Sequence, residues 1–115
     1  METTEVTQFG VGMRPAHRWI RKTDQIPRLG ATEGTPNPTV KVKLFCPWSM
    51  WTWYVVEANL ETGDAYGYVV GHEREIGYFS LKEMASIKGR FGLTIERDLH
   101  WTPTGLKDVM NGEAV

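Results

Sequence analysis

Hydrophobic and polar residues alternate most clearly in the middle of the chain. Over 40–46 apolar residues occupy every second position, with Lys41 and Lys43 between the first three, which predicts a strand with one apolar face. Two further runs, 51–57 and 65–70, are rich in aromatic and β-branched residues, as strands are. Pro47 and the turn residues 59–64 separate the three runs. Short connections of this kind predict an antiparallel meander.

The second half of the chain adds a helix and a further strand. A capping box begins at Ser80, with a glutamate three residues later, and predicts one main helix over about 81–88. Alternation over 93–101 predicts a fourth strand, and Thr102-Pro103 suits the start of a last short helix. We therefore expect an α+β fold. It has a three- to four-stranded antiparallel sheet, the main helix on one face and short terminal helices.

Length and local composition indicate one domain. The 115 residues fit the commonest domain size. Residues 1–26 show no clean period and are interpreted as an N-terminal arm or a short helix packing on the core. Residues 27–111 form the domain, and 112–115 a frayed tail.

Composition excludes few functions. The net charge of −1 gives no global reason to expect nucleic acid, although residues 1–30 carry five basic side chains against three acidic ones. The single Cys46 cannot form an internal disulfide. The N-terminus lacks the pattern of a signal peptide, and no apolar run approaches the roughly 20 residues of a membrane span. We expect a cytoplasmic protein that makes no membrane contact and needs no cofactor.

Several short motifs together resemble a known family. They are Trp51-Thr-Trp-Tyr54 with Glu57, Gly71-His-Glu73, Glu75-Ile-Gly-Tyr-Phe-Ser-Leu-Lys-Glu83, Phe91-Gly-Leu93 and Ile95-Glu-Arg-Asp-Leu-His-Trp101. The segment 27–109 that holds them resembles the DUF2958 family. The resemblance implies a small protein of a bacterium, phage, plasmid or other mobile element. It implies no assigned activity and no catalytic residues.

Aromatic residues supply the leading functional hypothesis. Five tryptophans are many for this length, and one face of a small sheet cannot bury all the aromatic side chains. We expect some to be exposed and to anchor a protein partner. The expected contacts are Trp48, Trp51, Trp53, Tyr66 and Tyr68. With no catalytic signature in the chain, this pattern favours a non-catalytic binding or accessory protein. A host or defence component is one candidate partner.

Basic residues support a first alternative, nucleic-acid binding through the N-terminal arm. The side chains concerned are Arg14, Arg18, Arg21, Lys22, Lys41 and Lys43, with Trp19 among them. A solvated basic face would show the same pattern.

Acidic and histidine residues support a second alternative, a metal-dependent hydrolase or nuclease. On a strand over 94–101 the period of two places Glu96, Asp98 and His100 on one face, and His72 would join them. Such a set suits Mg²⁺ or Mn²⁺. The spacing matches no diagnostic metal motif, and surface ion pairs would explain it equally well.

Overall fold

The computed structural model describes residues 18–112, which form an α+β fold. The strands are β1 (Thr39–Val40), β2 (Val42–Phe45), β3 (Thr52–Ala58), β4 (Asp64–Val70), β5 (Arg74–Ser80), β6 (Glu96–Arg97) and β7 (Thr104–Gly105). The helices are α1 (Leu81–Ala85) and α2 (Leu106–Gly112), and Lys22–Asp24 and Arg90–Gly92 form 3-10 turns. No helix within 18–112 is both long and apolar enough to cross a membrane.

The main sheet has five antiparallel strands in the order β5-β4-β3-β2-β6, and β1 pairs with β7 in a separate two-stranded sheet. The predicted α+β class and antiparallel meander are confirmed. The predicted number of three to four strands is wrong, because β5 follows β4 after a short turn at 71–73. Of the strand predicted over 93–101, only β6 forms. The chain turns directly after it, and Oδ1 of Asp98 accepts from the amide of His100 at 2.9 Å in that turn.

Two apolar clusters lie on opposite faces of the main sheet. The first face is covered by Trp19, Ile20, α1 and Ile95, which pack on the inward side chains of β2 and β3. The second face is covered by α2, through Leu106 and Val109. Helices therefore pack on both faces, whereas the sequence predicted the main helix on one face and left the other undecided.

The chain changes faces at two positions, which periodicity alone did not predict. The alternation over 40–46 predicts that Val40 shares a face with Val42, but Val40 lies in the second cluster and Val42 in the first. The chain passes from one sheet to the other between them. A β-bulge between Val55 and Glu57 makes a second change, so that Val55 and Ala58 belong to the same cluster.

The capping box is confirmed, but the helix that it begins is shorter than predicted. The hydroxyl of Ser80 accepts from the amide of Glu83 at 3.0 Å. The helix α1 ends at Ala85 instead of 88, and the hydroxyl of Ser86 donates to the carbonyl of Glu83 at 2.6 Å. Lys88 then pairs with Thr94 in an isolated β-bridge.

The last helix begins at Leu106, later than the predicted start at Thr102-Pro103. Residues 104–105 pair with β1, which delays the helix. The amide of Lys107 donates to Oδ1 of Asn37 at 2.8 Å, so a distant side chain binds the first turn.

Residues 18–20, which the sequence assigned to an arm or a short helix packing on the core, lie in the core of the domain. Trp19 is 1% exposed, and its indole Nε1 donates to the carbonyl of Ile95 at 3.0 Å. The interpretation of 1–17 as an arm, and of 113–115 as part of a frayed tail, falls outside the described residues.

Candidate functional site

Two tryptophans lie side by side on the first face of the sheet. The ring centroids of Trp51 and Trp53 are 5.9 Å apart, with an interplanar angle of 29°. His72 meets Trp51 edge-on at 5.6 Å. A Cβ at Gly71 would lie 2.5 Å from the ring of Trp51, so the glycine permits this close approach. We call Trp51 and Trp53 the tryptophan pair.

The acidic hollow lies on one side of the tryptophan pair and has a volume of about 280 Å³. The apolar side chains of Val69 and Phe79 line it, together with the exposed carboxylates of Glu73 and Glu75. Gly77 also lines it and leaves open space, since a Cβ there would meet no atom within 4 Å.

The apolar hollow lies on the other side and has a volume of about 380 Å³. Cys46, Trp48, Ile87 and Ile95 line it together with the tryptophan pair. Because both hollows share the pair, they adjoin. The ring of Trp48 packs on Gly89, where a Cβ would lie 2.7 Å from it.

Two of the residues that line the apolar hollow, Trp48 and Ile87, lie in loops that carry further exposed apolar side chains. We call Trp48, Met50, Ile87, Phe91 and Leu93 the Phe91 patch. Met50 is 90% exposed and Phe91 is 97% exposed. They belong to two loops, 46–51 and 86–94, which touch where Trp48 packs on Gly89. Phe91 also has a left-handed backbone, with φ of 60°, which a bulky side chain seldom adopts.

The structure divides the five predicted partner-binding residues between two faces. Trp48 is 40% exposed and Trp51 is half-buried, whereas Trp53 is buried. Tyr66 and Tyr68 lie on the opposite face. Tyr68 is buried and stacks on another tyrosine, so it offers little surface to a partner. Trp48 and Trp51 are therefore the members of the set that a partner can reach most directly on the first face.

The sequence did not single out several members of this site. Met50, Ile87, Phe91 and Leu93 attracted no functional interpretation, and Glu73 and Glu75 entered only as parts of the motifs that resemble the family. The glycines at 89 and 92 flank an arginine and a phenylalanine, and an aromatic residue in a glycine-bounded loop was the available signal.

A family model described as "Protein of unknown function (DUF2958)" matches residues 20–108. The chain belongs to the DUF2958 family. The resemblance seen in the sequence is confirmed, and the match begins at 20, inside the segment that had been assigned to the arm. No curated protein and no solved structure matches the chain.

The structure describes five of the six basic residues of this DUF2958 chain that were predicted to bind nucleic acid. Lys43 lies 3.5 Å from a carboxylate oxygen of Asp98 and 5.7 Å from the ring centroid of Tyr54, on the second face. Trp19, expected among the basic side chains of the arm, is buried on the first face. The remaining candidates are Arg18 and Arg21, both half-buried, the exposed Lys22, the half-buried Lys41, and Arg14, which lies outside the described residues.

The proposed metal ligands are not brought together. His72 lies in the turn between β4 and β5, at one edge of the sheet, whereas Glu96 and Asp98 lie at the other edge, in and just after β6. His100 follows in the turn after β6. Within 18–112, no three His, Cys, Asp or Glu side chains are grouped so that they could hold a metal ion. The assumed long strand over 94–101, which was to align three of them, does not form.

Glu57 is a buried carboxylate with a structural role. Its Oε1 accepts from the amide of Gly30 at 2.7 Å, and its Oε2 accepts from the amide of Thr32 at 2.9 Å and from the Thr32 hydroxyl. Burial raises the pKa of Glu57, but the hydrogen bonds from Thr32 and Gly30 outweigh burial and hold the pKa below its ordinary value. The carboxylate therefore holds the loop 29–34 against β3.

Proposed function

We propose that this DUF2958 protein is a non-catalytic binding protein that engages a protein partner through the Phe91 patch and the apolar hollow. In keeping with the family resemblance, we propose a phage- or mobile-element-encoded accessory protein that acts in the cytoplasm of a bacterial host. A host or defence component is its expected partner.

The conformation and exposure of Phe91 carry the proposal. Full burial of a phenylalanine side chain stabilises a folded protein by roughly 1.5–3 kcal/mol. The domain gains almost none of this stabilisation at Phe91, because the side chain is 97% exposed. A left-handed backbone at a bulky residue costs about 1–3 kcal/mol more. Neither the exposed ring nor the left-handed backbone of Phe91 stabilises the domain itself. A partner that buries the ring would recover the hydrophobic term.

The surroundings of Phe91 have the organisation of a protein interface. Trp48 and Ile87 of the patch line a hollow that also contains the tryptophan pair, and aromatic side chains in pockets dominate binding energy in protein interfaces. Scattered single apolar residues are ordinary on a surface. Here two adjoining loops carry five of them.

The test is capture of a partner from bacterial lysate with the tagged full-length chain, after nuclease treatment, followed by affinity measurement with the purified partner. The Met50→Ser/Phe91→Ser variant removes the most exposed apolar side chains. The control variant Ile76→Ser/Met110→Ser removes exposed apolar side chains elsewhere. We expect the patch variant to weaken binding at least about tenfold and the control to leave it unchanged.

Two results would overturn the proposal. One is a captured protein whose affinity is the same for the patch variant, the control variant and the unchanged chain. The other is a partner that is lost when nucleic acid is digested, which would favour the nucleic-acid alternative.

A further inference from the structure

We infer that the outer edge of β5 binds the same strand of a second copy of the chain, so that the two five-stranded sheets become continuous across a twofold axis at Gly77. The pairing is antiparallel, because two identical strands that a twofold axis relates side by side in one sheet run in opposite directions. The inference does not depend on the proposed protein-binding function, since the edge of β5 contains no residue of the Phe91 patch.

β5 has the properties of an edge that can pair with another strand. It is the outermost strand of the main sheet, and none of the strands within 18–112 pairs with its outer side. It spans seven residues, contains no proline or lysine, and pairs with β4 in an unbroken register. Proteins usually protect an edge with a short strand, a bulge, a proline or a lysine. The opposite edge is protected in this way, because β6 has two residues and Asp24 engages one of them, Arg97.

Two exposed apolar side chains of β5 lie on the second face of the sheet, on either side of Gly77. Ile76 is 44% exposed and Tyr78 is 74% exposed. Ile76 lies opposite Tyr68 of β4, which belongs to the second cluster. Tyr78 lies opposite Tyr66, and their ring centroids are 5.1 Å apart. Apolar rows that begin on β4 therefore continue to the outer edge of the sheet.

The sequence of β5 is self-complementary when the axis passes through the midpoint of the strand. Gly77 is the fourth of its seven residues, so an axis there pairs the whole strand, and any other centre pairs fewer residues. Ile76 then lies opposite Tyr78 of the second copy, and Tyr78 opposite Ile76. Such aromatic and β-branched pairs stabilise antiparallel strands. The apolar rows of the second face would thus run without interruption from one copy into the other.

The remaining pairs of this register bring no like charges together. The charged residues of β5, Arg74 and Glu75, are the first two of the strand, so they lie at opposite ends of an antiparallel pair. Arg74 would lie opposite Ser80 of the second copy, and Glu75 opposite Phe79. Like charges directly opposite each other destabilise a strand pair, and this register contains none. The charges as well as the apolar side chains of β5 therefore fit a second copy of the same strand.

The first experiment measures the mass of the full chain by sedimentation equilibrium over a range of concentrations. One seven-residue strand from each copy makes a small interface, so we expect a weak dimer with a dissociation constant of about 1–100 µM. The variants Ile76→Lys/Tyr78→Lys and Ile76→Glu/Tyr78→Glu each place like charges opposite each other twice. We expect each to raise the dissociation constant at least about tenfold. An equimolar mixture of the two places lysine opposite glutamate and should recover the dimer, which also shows that both variants are folded.

Two further variants control for surface charge and for the other apolar surface. Leu99→Lys/Thr102→Lys adds the same charge at exposed positions after β6, and it should dimerise as the unchanged chain does. Met50→Ser/Phe91→Ser alters only the Phe91 patch, and it should also dimerise normally.

Cysteine substitutions test the register. Residues directly opposite each other in an antiparallel pair have Cα atoms about 4.5–5.5 Å apart, which a disulfide can span. Gly77→Cys places two thiols at the axis, where a Cβ meets no atom of its own chain within 4 Å. Glu75→Cys is the matched control on the same strand face, because this position lies opposite Phe79 of the second copy. The native Cys46 is buried. We expect mild oxidation to cross-link Gly77→Cys at least about tenfold faster than Glu75→Cys.

Four results would each overturn the inference. They are an unchanged chain that stays monomeric at about 0.5 mM, a lysine variant that dimerises as the unchanged chain does, a mixture of the two charged variants that stays monomeric, and equal cross-linking of the two cysteine variants. A dimer that is lost in Met50→Ser/Phe91→Ser but kept in the lysine variant would mean that the second copy binds the Phe91 patch instead of β5.

Discussion

Gly67 and Gly77 face each other across β4 and β5, yet only one of them has room for a side chain. A Cβ at Gly67 would lie 1.9 Å from the carbonyl oxygen of Tyr54, a backbone atom of the central strand β3. A Cβ at Gly77 would meet nothing within 4 Å. The difference arises because Gly67 lies next to the bulge of β3, whereas Gly77 lies on the edge strand.

Alanine substitutions at these two positions should therefore have opposite consequences. We expect Gly67→Ala to lower the free energy of unfolding by about 3 kcal/mol or more, since two paired strands must separate to admit the methyl group. Gly77→Ala should change it by less than about 1 kcal/mol, and in the stabilising direction. Urea denaturation of both variants measures the difference, and equal effects would contradict the close approach of β3 and β4.

The carboxylate of Glu57 should be necessary for the conformation of loop 29–34. In Glu57→Gln an amide group with two N–H donors replaces one of the accepting oxygens, and a buried donor then faces another donor. We expect the free energy of unfolding to fall by about 1–3 kcal/mol. Amide hydrogen exchange should accelerate at Gly30 and Thr32, which donate to Glu57.

Glu33→Gln is the matched control, because Glu33 is an exposed carboxylate of the same loop. It should leave both the unfolding free energy and the exchange rates unchanged. If the amides of Gly30 and Thr32 exchanged at the same rates in Glu57→Gln as in this control, the hydrogen bonds of Glu57 would not stabilise the loop.

Local signals in the sequence predicted the elements that depend on neighbouring residues. The alternation in β2, the aromatic run of β3 and the capping box at Ser80 are each contained within a few residues, and each forms. β5 was not predicted, because Gly77 interrupts its hydrophobic pattern and because its side chains are largely exposed at the edge of the sheet. Alternation of apolar and polar residues marks a strand when one of its faces is buried, and few side chains of β5 are buried.

Features that depend on distant residues were beyond such reasoning. Asn37 binds the first turn of α2, and Trp19 completes a core made by residues far along the chain. The candidate site shows the same limit. Trp48 and Trp51 were expected from composition, but no pattern in the sequence showed that the loop 86–94 adjoins Trp48.

Two tryptophans that look alike in the sequence should contribute very differently to stability. We expect Trp19→Leu to lower the free energy of unfolding by about 3 kcal/mol, because it leaves a cavity and removes the hydrogen bond to Ile95. Trp48→Leu should cost less than about 1 kcal/mol, since this side chain is 40% exposed. Denaturation of the two variants tests this, and equal losses would contradict the assignment of residues 18–20 to the core.

Two carboxylates with lowered pKa should make the fold sensitive to acid. Asp24 is bound by Arg97, with Nη1–Oδ2 and Nη2–Oδ1 distances of 2.6 and 2.7 Å. Burial raises the pKa of Asp24, but the Arg97 hydrogen bond, the Arg21 amide and the two positive charges outweigh burial, so its pKa lies below its ordinary value of 3.8. Glu57 likewise has a pKa below its ordinary value of 4.5.

A lowered pKa in the folded state fixes the sign of the pH dependence. As the pH falls, the unfolded chain takes up protons at these two groups before the folded protein does, and protons then favour unfolding. The stabilisation is complete above the ordinary values of 3.8 and 4.5 and is lost as the pH falls through the lower folded values. We therefore expect an unfolding free energy that is nearly constant between pH 7 and about 5 and declines in more acid solution.

The variant Asp24→Asn/Glu57→Gln should be less stable than the unchanged chain at neutral pH and should show a shallower decline in acid, because two of the protonations that drive unfolding are gone. Glu33→Gln should keep the full decline. Denaturation curves at a series of pH values measure both slopes. A double variant as acid-sensitive as the unchanged chain would mean that other carboxylates cause the decline and that the contacts of Asp24 and Glu57 do not.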